Sequence, residues 1–395
     1  MMHVSSSTFF FCEPVTGERM RWLSGVISAA GGEGASNETG SVKIFLSGDA
    51  LFSLLDARTR PGWVTLSRMP SVRITADGDV LLLQGLFDPV ASGIPGIRVT
   101  GAGNGRSFWG ELVFALEMDW KGTKNAAFLL CNSPYMSRVP VYMLRFLASV
   151  VEAGLHPELY CYLDGVHVLH DGQRPSEFEN IGKGVSALAG ETVRSCRDPW
   201  FAACSRCATA RGYYQMNPGT GFCEPASCIQ DIAIRPLKEI LARFPGFYPV
   251  ASHMGGWTVP AGCEGGGVPG LSVFITHPPY CSEWTFGGLS LAIAAAMDGI
   301  PTNVIFIEDG VYALQEIHEV PGNERIFNVQ EMIAVTTDIE SLSYHVHSPS
   351  LEDRGIHRTG DFPLVGKVSD GDLPRILFPS KDGPASATAM RMLFF

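Results

Sequence analysis

The chain has no long hydrophobic run. Across 395 residues its strongly apolar stretches are short, Val80–Leu83, Ala126–Leu130 and Leu289–Met297, against the roughly 20 residues a bilayer-spanning helix needs. Met1–Cys12 has no basic stretch ahead of a long apolar core, so no secretory signal is expected there. Both absences favour the cytoplasm, and no membrane partner is expected. Positive charge is also scarce. The formal net charge is −11, with 29 Lys and Arg against 40 Asp and Glu and no basic run. Phosphate backbones are bound by clustered cations, so nucleic acid is not an expected partner. Charged residues make up only 17% of the chain and hydrophobic ones 46%. That balance argues against disorder and leaves material for two or three ordinary domains.

What is present is repetition. Ala126–Cys131 runs into Asn132-Ser133-Pro134-Tyr135, and Val273–Thr276 runs into His277-Pro278-Pro279-Tyr280. Leu159–Leu163 then leads into Asp164-Gly165-Val166, and Val304–Ile307 into Glu308-Asp309-Gly310-Val311. Pro134 and Pro279, Asp164 and Asp309, and Gly154 and Gly299 are all separated by 145 residues. Each copy reads as a short buried strand, a helix closed by glycine (Val141, Leu144, Phe146, Leu147 and Val151 share one helical face in the first) and a second buried strand. Strand–helix–strand with continuous apolar strands implies right-handed βαβ units and a parallel sheet. Further along, Cys204 to Gly212 aligns with His347 to Gly355 at an offset of 143. A weaker third copy opens the chain, with strands at Thr8–Phe11 and Val42–Leu46, and Asp77 eight residues before Gly85 as Cys204 is before Gly212. The expected division is therefore a degenerate copy over 1–122, a second over 123–250, a glycine- and proline-rich linker over 251–270 and a third over 271–395. Gly101–Gly105 superficially resembles a phosphate loop but lacks Gly-Lys-Ser/Thr.

The order of these motifs resembles the DsrE/DsrF/DsrH family, which includes the Tus sulfur-relay subunits. Residues 123–250 resemble the DsrE/TusD type through Asp164-Gly165-Val166 and Cys204…Arg211-Gly212. Residues 271–395 resemble the DsrF/TusC type through Pro278-Pro279-Tyr280-Cys281-Ser282-Glu283, Glu308-Asp309-Gly310-Val311 and Asp353-Arg354-Gly355. The resemblance covers about two thirds of the chain. It implies an α/β fold: tandem flavodoxin-like (DsrE-like) doubly wound parallel-sheet domains, here fused into an intramolecular pseudo-trimer, with a face-to-face homodimer supplying the six-domain ring of the family. It also implies a sulfurtransferase or sulfur-carrier role, with protein sulfur donors and acceptors and no cofactor. The cysteine that accepts sulfane sulfur becomes Cys204. The chain departs from the family in its fusion, and in holding His347 and Asp77, neither able to form a persulfide, at the matching positions.

The residues around Cys204 fit and complicate that reading. Trp200–Ala203 reads as a strand and Ala208–Tyr213 as the start of a helix, which places Cys204 at a strand's carboxyl end, where α/β sites gather. Arg206 and Arg211 add positive potential that favours a thiolate. Cys207, at Cys-x-x-Cys spacing, could resolve a persulfide on Cys204 and release sulfide; equally it could be a core residue. Ten cysteines are present, and Cys196, Cys204, Cys207, Cys223 and Cys228 share one 33-residue window. Cys204, Cys207, Cys223 and Cys228 are therefore also candidates for a four-thiolate zinc or iron–sulfur site. A helix is expected over Ile229–Phe244, so the loop holding Cys223 and Cys228 could lie over Cys204. Cys281 is a secondary thiol. Asp164-Gly165 and Asp309-Gly310 are expected to be strand-end turns. A third possibility is a non-catalytic docking module for a sulfur enzyme, with incidental thiols.

Overall fold

The computed structural model describes residues 4–30, 41–101, 107–194, 199–260, 268–316, 318–321, 326–357, 362, 364–378 and 389–395. Cys196, Cys263 and most of the Gly101–Gly105 stretch lie outside them.

Strands and helices alternate, and the main-sheet strands within each unit run parallel. The first unit holds β1 (Val4–Phe11), β2 (Ser41–Leu46), β3 (Val72–Asp77) and β4 (Ile97–Thr100), paired in that order. The second holds β5 (Asn125–Leu130), β6 (His156–Cys161) and β7 (Trp200–Cys204), then a small hairpin of β8 (Tyr214–Met216) and β9 (Cys223–Pro225), then β10 (Ala233–Arg235) and β11 (Val250–Ala251). Its sheet order is β10-β7-β6-β5-β11. Next comes β12 (Met254–Pro260), and the third unit adds β13 (Gly270–Ile275), β14 (Thr302–Phe306), β15 (Leu342–His347), β16 (Val365–Val368) and β17 (Met390–Phe394), ordered β16-β15-β14-β13-β17. The second and third units thus share one strand order.

The apolar patterning explains the layers. β13 is buried along its whole length and β5 along all but its first residue, as strands covered by helices on both faces must be. Helix Val139–Glu152 buries Leu144, Phe146, Leu147 and Val151 as its periodicity requires, and Val141 is only partly covered. Gly154 and Gly299 follow the ends of their helices at φ of 89° and 80°, the left-handed conformation that closes a helix. Among the described residues no helix is long and apolar enough to cross a membrane.

Two expectations fail. Composition marks 251–270 as a linker, but Met254–Pro260 is a strand with a neighbour on each side. β12 pairs antiparallel with β1 and antiparallel with β17. It thereby occupies beside β1 the place that β11 holds beside β5 and β17 beside β13, and it joins the first and third units into one ten-stranded sheet. Its glycines serve close packing, not flexibility. A Cβ on Gly255 would stand 2.4 Å from the Met392 carbonyl oxygen, and one on Gly256 2.7 Å from that of Thr8. The helix expected over Ile229–Phe244 also gives way. Pro236 cannot continue one, and the segment splits into β10 and a short helix, Leu237–Leu241.

A buried arginine ties the C-terminal strand to the second unit. Arg391 on β17 is 1% exposed and donates to the carbonyls of Phe244 (2.6 Å), Tyr248 (2.8 and 3.1 Å) and Gly246. Its guanidinium lies 5.5 Å from the Trp120 ring centroid. Burial lowers its pKa to about 10, which leaves it charged at neutral pH. Replacing Gly255 by alanine is expected to lower stability by roughly 2–3 kcal/mol, read as a shift in urea midpoint. A midpoint equal to that of the parent would show that the strand tolerates a side chain there.

Candidate functional site

The carboxyl ends of β3, β7 and β15 are built alike. Each strand's last residue caps a six-residue helix: Asp77 before Gly78–Leu83, Cys204 before Ser205–Ala210 and His347 before Ser348–Asp353. All three side chains are buried, at 1%, 1% and 0% exposure. The helix after Cys204 begins three residues earlier than its sequence suggests and ends before Arg211.

The three positions differ in chemistry. Asp77 accepts from Ser47 Oγ at 2.7 Å and from the Val80 amide at 3.4 Å, and burial raises its pKa. His347 contacts Ser350 Oγ through Nδ1 at 2.8 Å and Asp370 Oδ1 through Nε2 at 2.9 Å. Burial lowers its pKa despite the Asp370 carboxylate. Cys204 is paired with a second thiol. The Cys207 side chain hydrogen-bonds its sulfur, and this contact is the largest influence bringing its pKa down to about 6, against the opposing effect of burial. The sulfur makes no capping bond of ordinary length, but the Arg206 and Cys207 amides face it and the Arg206 charge helps. Cys207, 7% exposed, is pushed well above its usual range by the same contact and by burial, so it holds its proton as donor.

The two arginines chosen from sequence reach across a seam between units. The Arg206 guanidinium lies 4.7 Å from the Phe286 ring centroid and 5.4 Å from that of Phe327. Arg211 donates to Asp164 at 2.6 Å within its unit and to Glu283 at 2.6 Å in the third. Tyr162, beside both thiols, donates to the Gly287 carbonyl at 3.0 Å. The pattern recurs one unit on. Arg354 donates to Asp309 at 2.8 Å and, across the seam to the first unit, to Glu18 at 2.9 Å. There a buried bidentate pair, Arg19 with Glu308, adds to it. Asp164 and Asp309 are thus arginine partners as well as turn residues. Beside them Gly165 and Gly310 pack where a Cβ would stand 2.0 and 1.9 Å from the carbonyl oxygens of Leu130 and Ile275.

The four cysteines of the metal reading do not come together. Cys223 is exposed on β9, and the half-buried Cys228 thiol donates to the carbonyls of Ala226 (3.1 Å) and Tyr213 (3.3 Å). Cys204 and Cys207 are buried at the sheet end. Among the described residues no group of three or more His, Cys, Asp or Glu side chains could hold a metal ion. The tetrad spacing arises because a hairpin and a strand-end motif are neighbours in sequence. Cys281 is exposed in the third unit's first loop. In the sequence Glu283 stands out only as the end of the Pro278–Glu283 motif, with no partner assigned, and Phe286 and Phe327 not at all, because their contacts depend on packing between units. Sequence reasoning also missed the left-handed backbone of Tyr135 and Tyr280, at φ of 69° and 68°. Their equivalence under the 145-residue repeat was the available signal.

Cys204 should alkylate slowly because it is covered, with a rate that holds on lowering pH from 8 and reaches half its plateau near pH 6. In Cys207→Ala that midpoint is expected to move upward, because the principal hydrogen bond to the thiolate is gone. Rates of iodoacetamide labelling at Cys204, followed by peptide mass spectrometry from pH 5 to 9, measure both. A midpoint near that of a free thiol in the parent protein would refute the stabilised thiolate.

No family model and no curated protein matches the chain. Among solved structures, the crystal structure of the ychN protein from E. coli aligns at 21% identity with a TM-score of 0.26, over 32% of this chain and 99% of that one. An overlay this loose carries no argument about function.

Proposed function

We propose that the chain is a sulfur carrier that holds sulfane sulfur as a persulfide on Cys204. The observation that carries this reading is the thiol pair. Of three equivalent strand-end positions one bears a cysteine, and its neighbour Cys207 stabilises it as a thiolate near pH 6. In the transfer step the Cys204 thiolate attacks the outer sulfur of a donor persulfide. The donor's S–S bond breaks, the donor leaves as thiolate, and Cys204 carries the sulfur as –S–SH until an acceptor thiolate takes it. Arg206 and the Cys207 S–H favour negative charge at the site before and after transfer.

The resemblance to the DsrE/DsrF/DsrH family supplies the rest of the reading. Three DsrE-like domains in one chain form the pseudo-trimer, two chains form the ring equivalent, and donor and acceptor are proteins of a reducing, cytoplasmic compartment. Two of the three seams, each clamped by an arginine on a strand-end helix, support the cyclic arrangement. At 1% exposure Cys204 is closed to a protein donor, so in this reading its surroundings must open on docking.

The test is exposure of the purified protein to inorganic polysulfide, with mass analysis of each thiol. A gain of one sulfur, about 32 mass units, is expected on Cys204 and is lost in Cys204→Ser. Sulfur on Cys223 or Cys281 with Cys204 unmodified would sink the proposal. A Cys204→Ser protein that still supports transfer between a persulfidated donor and a thiol acceptor would favour a docking role.

A further inference from the structure

The seam between the first and second units lacks the clamp that closes the other two. At the position of Arg211 and Arg354 stands Gln84, which caps its helix as they do and donates to the Gly48 carbonyl at 3.2 Å. At the position of Glu283 stands Arg138, which caps helix Val139–Glu152. Asp49, the counterpart of Asp164 and Asp309, therefore has no arginine, and among the described residues no salt bridge crosses this seam. The two units still pack firmly nearby, with the Trp109 and Tyr142 rings stacked at 5.6 Å. A cavity of about 490 Å³ opens instead of the clamp, a size typical of small-molecule sites.

Its walls have a consistent character. Tyr142 and Ile181, 2% and 1% exposed, are part of an apolar floor. Around it stand the carboxyl groups of Glu13, Asp49, Glu177 and Glu179 against the single guanidinium of Arg138. Phe178, exposed at the rim, lies 6.4 Å from Tyr135 and presents an aromatic face. Four acids and one base around an apolar floor attract cations, and aromatic faces add to that attraction. We infer that this open seam is a binding site for a small organic cation, a ligand with an ammonium or guanidinium head and an apolar body. The head lies among the acids, which include Asp49, the counterpart of the carboxylates that hold an arginine in the other two seams, and the body lies on Tyr142 and Ile181.

Isothermal titration of the full chain with 2-phenylethylamine, spermidine and arginine methyl ester tests this, with uncharged 2-phenylethanol as control. Saturable binding of at least one cation is expected with a Kd below about 1 mM, and none of the alcohol. Glu177→Gln/Glu179→Gln, at exposed positions, should weaken that binding at least about tenfold, which is 1.4 kcal/mol. Gln84→Arg/Arg138→Glu copies the clamp of the other seams and should abolish it with no fall in Tm. No saturable binding of any cation, equal binding of the alcohol, or full affinity in both variants would overturn the inference. None of these readouts involves Cys204, so the sulfur-carrier reading stands or falls separately.

Discussion

The arrangement rests on a strand that hydrogen-bonds on both edges. β12 lies between β1 and β17, and without it the first and third units would each present an open sheet edge. The requirement is strict because antiparallel neighbours on both sides bring carbonyl oxygens against its Cα atoms, which is why Gly255 and Gly256 stand there. Just before it, the His253 carbonyl accepts from the Cys12 amide at 2.9 Å and from its thiol at 3.0 Å, which fixes the loop that leaves β1. That loop carries Glu13 and leads to helix Gly17–Ala30, whose first turns supply Glu18 and Arg19 to the seam with the third unit. A ladder of main-chain bonds in one strand thus governs where charged side chains meet some distance away.

From that frame follows the division of labour among the seams. An arginine held between a carboxylate of its own unit and one of the next is a geometric lock more than a large energy. Fully exposed pairs contribute about 0–1 kcal/mol each, and although these arginines are largely covered, the stacked rings and buried helices beneath them supply most of the cohesion. The lock matters for what it positions. In the second unit it closes over the helix that carries Cys204 and Cys207, and Arg206 rests on two phenylalanines of the third unit. The groups that set the thiol's electrostatics, Arg206 and Cys207, belong to the Cys-x-x-Cys segment itself, and the seam fixes where the Arg206 side chain rests.

Much of this was legible in sequence. The 145-residue repeat, the helix-closing glycines and the placement of Cys204 at a strand end all follow from local pattern, because strand burial and helix capping are local matters. What was hidden is non-local. Glycine content in 251–270 reads as slack when the partner strands are unknown, and the same glycines read as tight packing once Met392 and Thr8 are seen beside them. The spacing of Cys204, Cys207, Cys223 and Cys228 imitates a metal site because sequence distance records neither that Cys223 sits on an outward hairpin nor that Cys228 bonds its own loop. Glu283 is visible only as the end of a loop motif and Phe286 carries no mark of its own, and the contacts of both appear only when another unit's arginines reach them.

The same fold position also shows how differently its three occupants are held. A buried polar group must be satisfied where it stands. Asp77 is satisfied by Ser47 and the Val80 amide, and His347 by Ser350 and Asp370. Ser350 is itself shared with Glu18 at 2.6 Å and the Glu308 amide at 2.9 Å, so the histidine is woven into the contact between the third and first units. Neither side chain can leave its partners without stranding a buried donor or acceptor. A thiol loses far less on being freed, since sulfur is a weak hydrogen-bond partner. Cys204 instead accepts from the Cys207 thiol and is faced by the Arg206 and Cys207 amides. Of the three equivalent positions Cys204 alone holds a thiol, and it is the one to which the sulfur-carrier proposal assigns covalent chemistry.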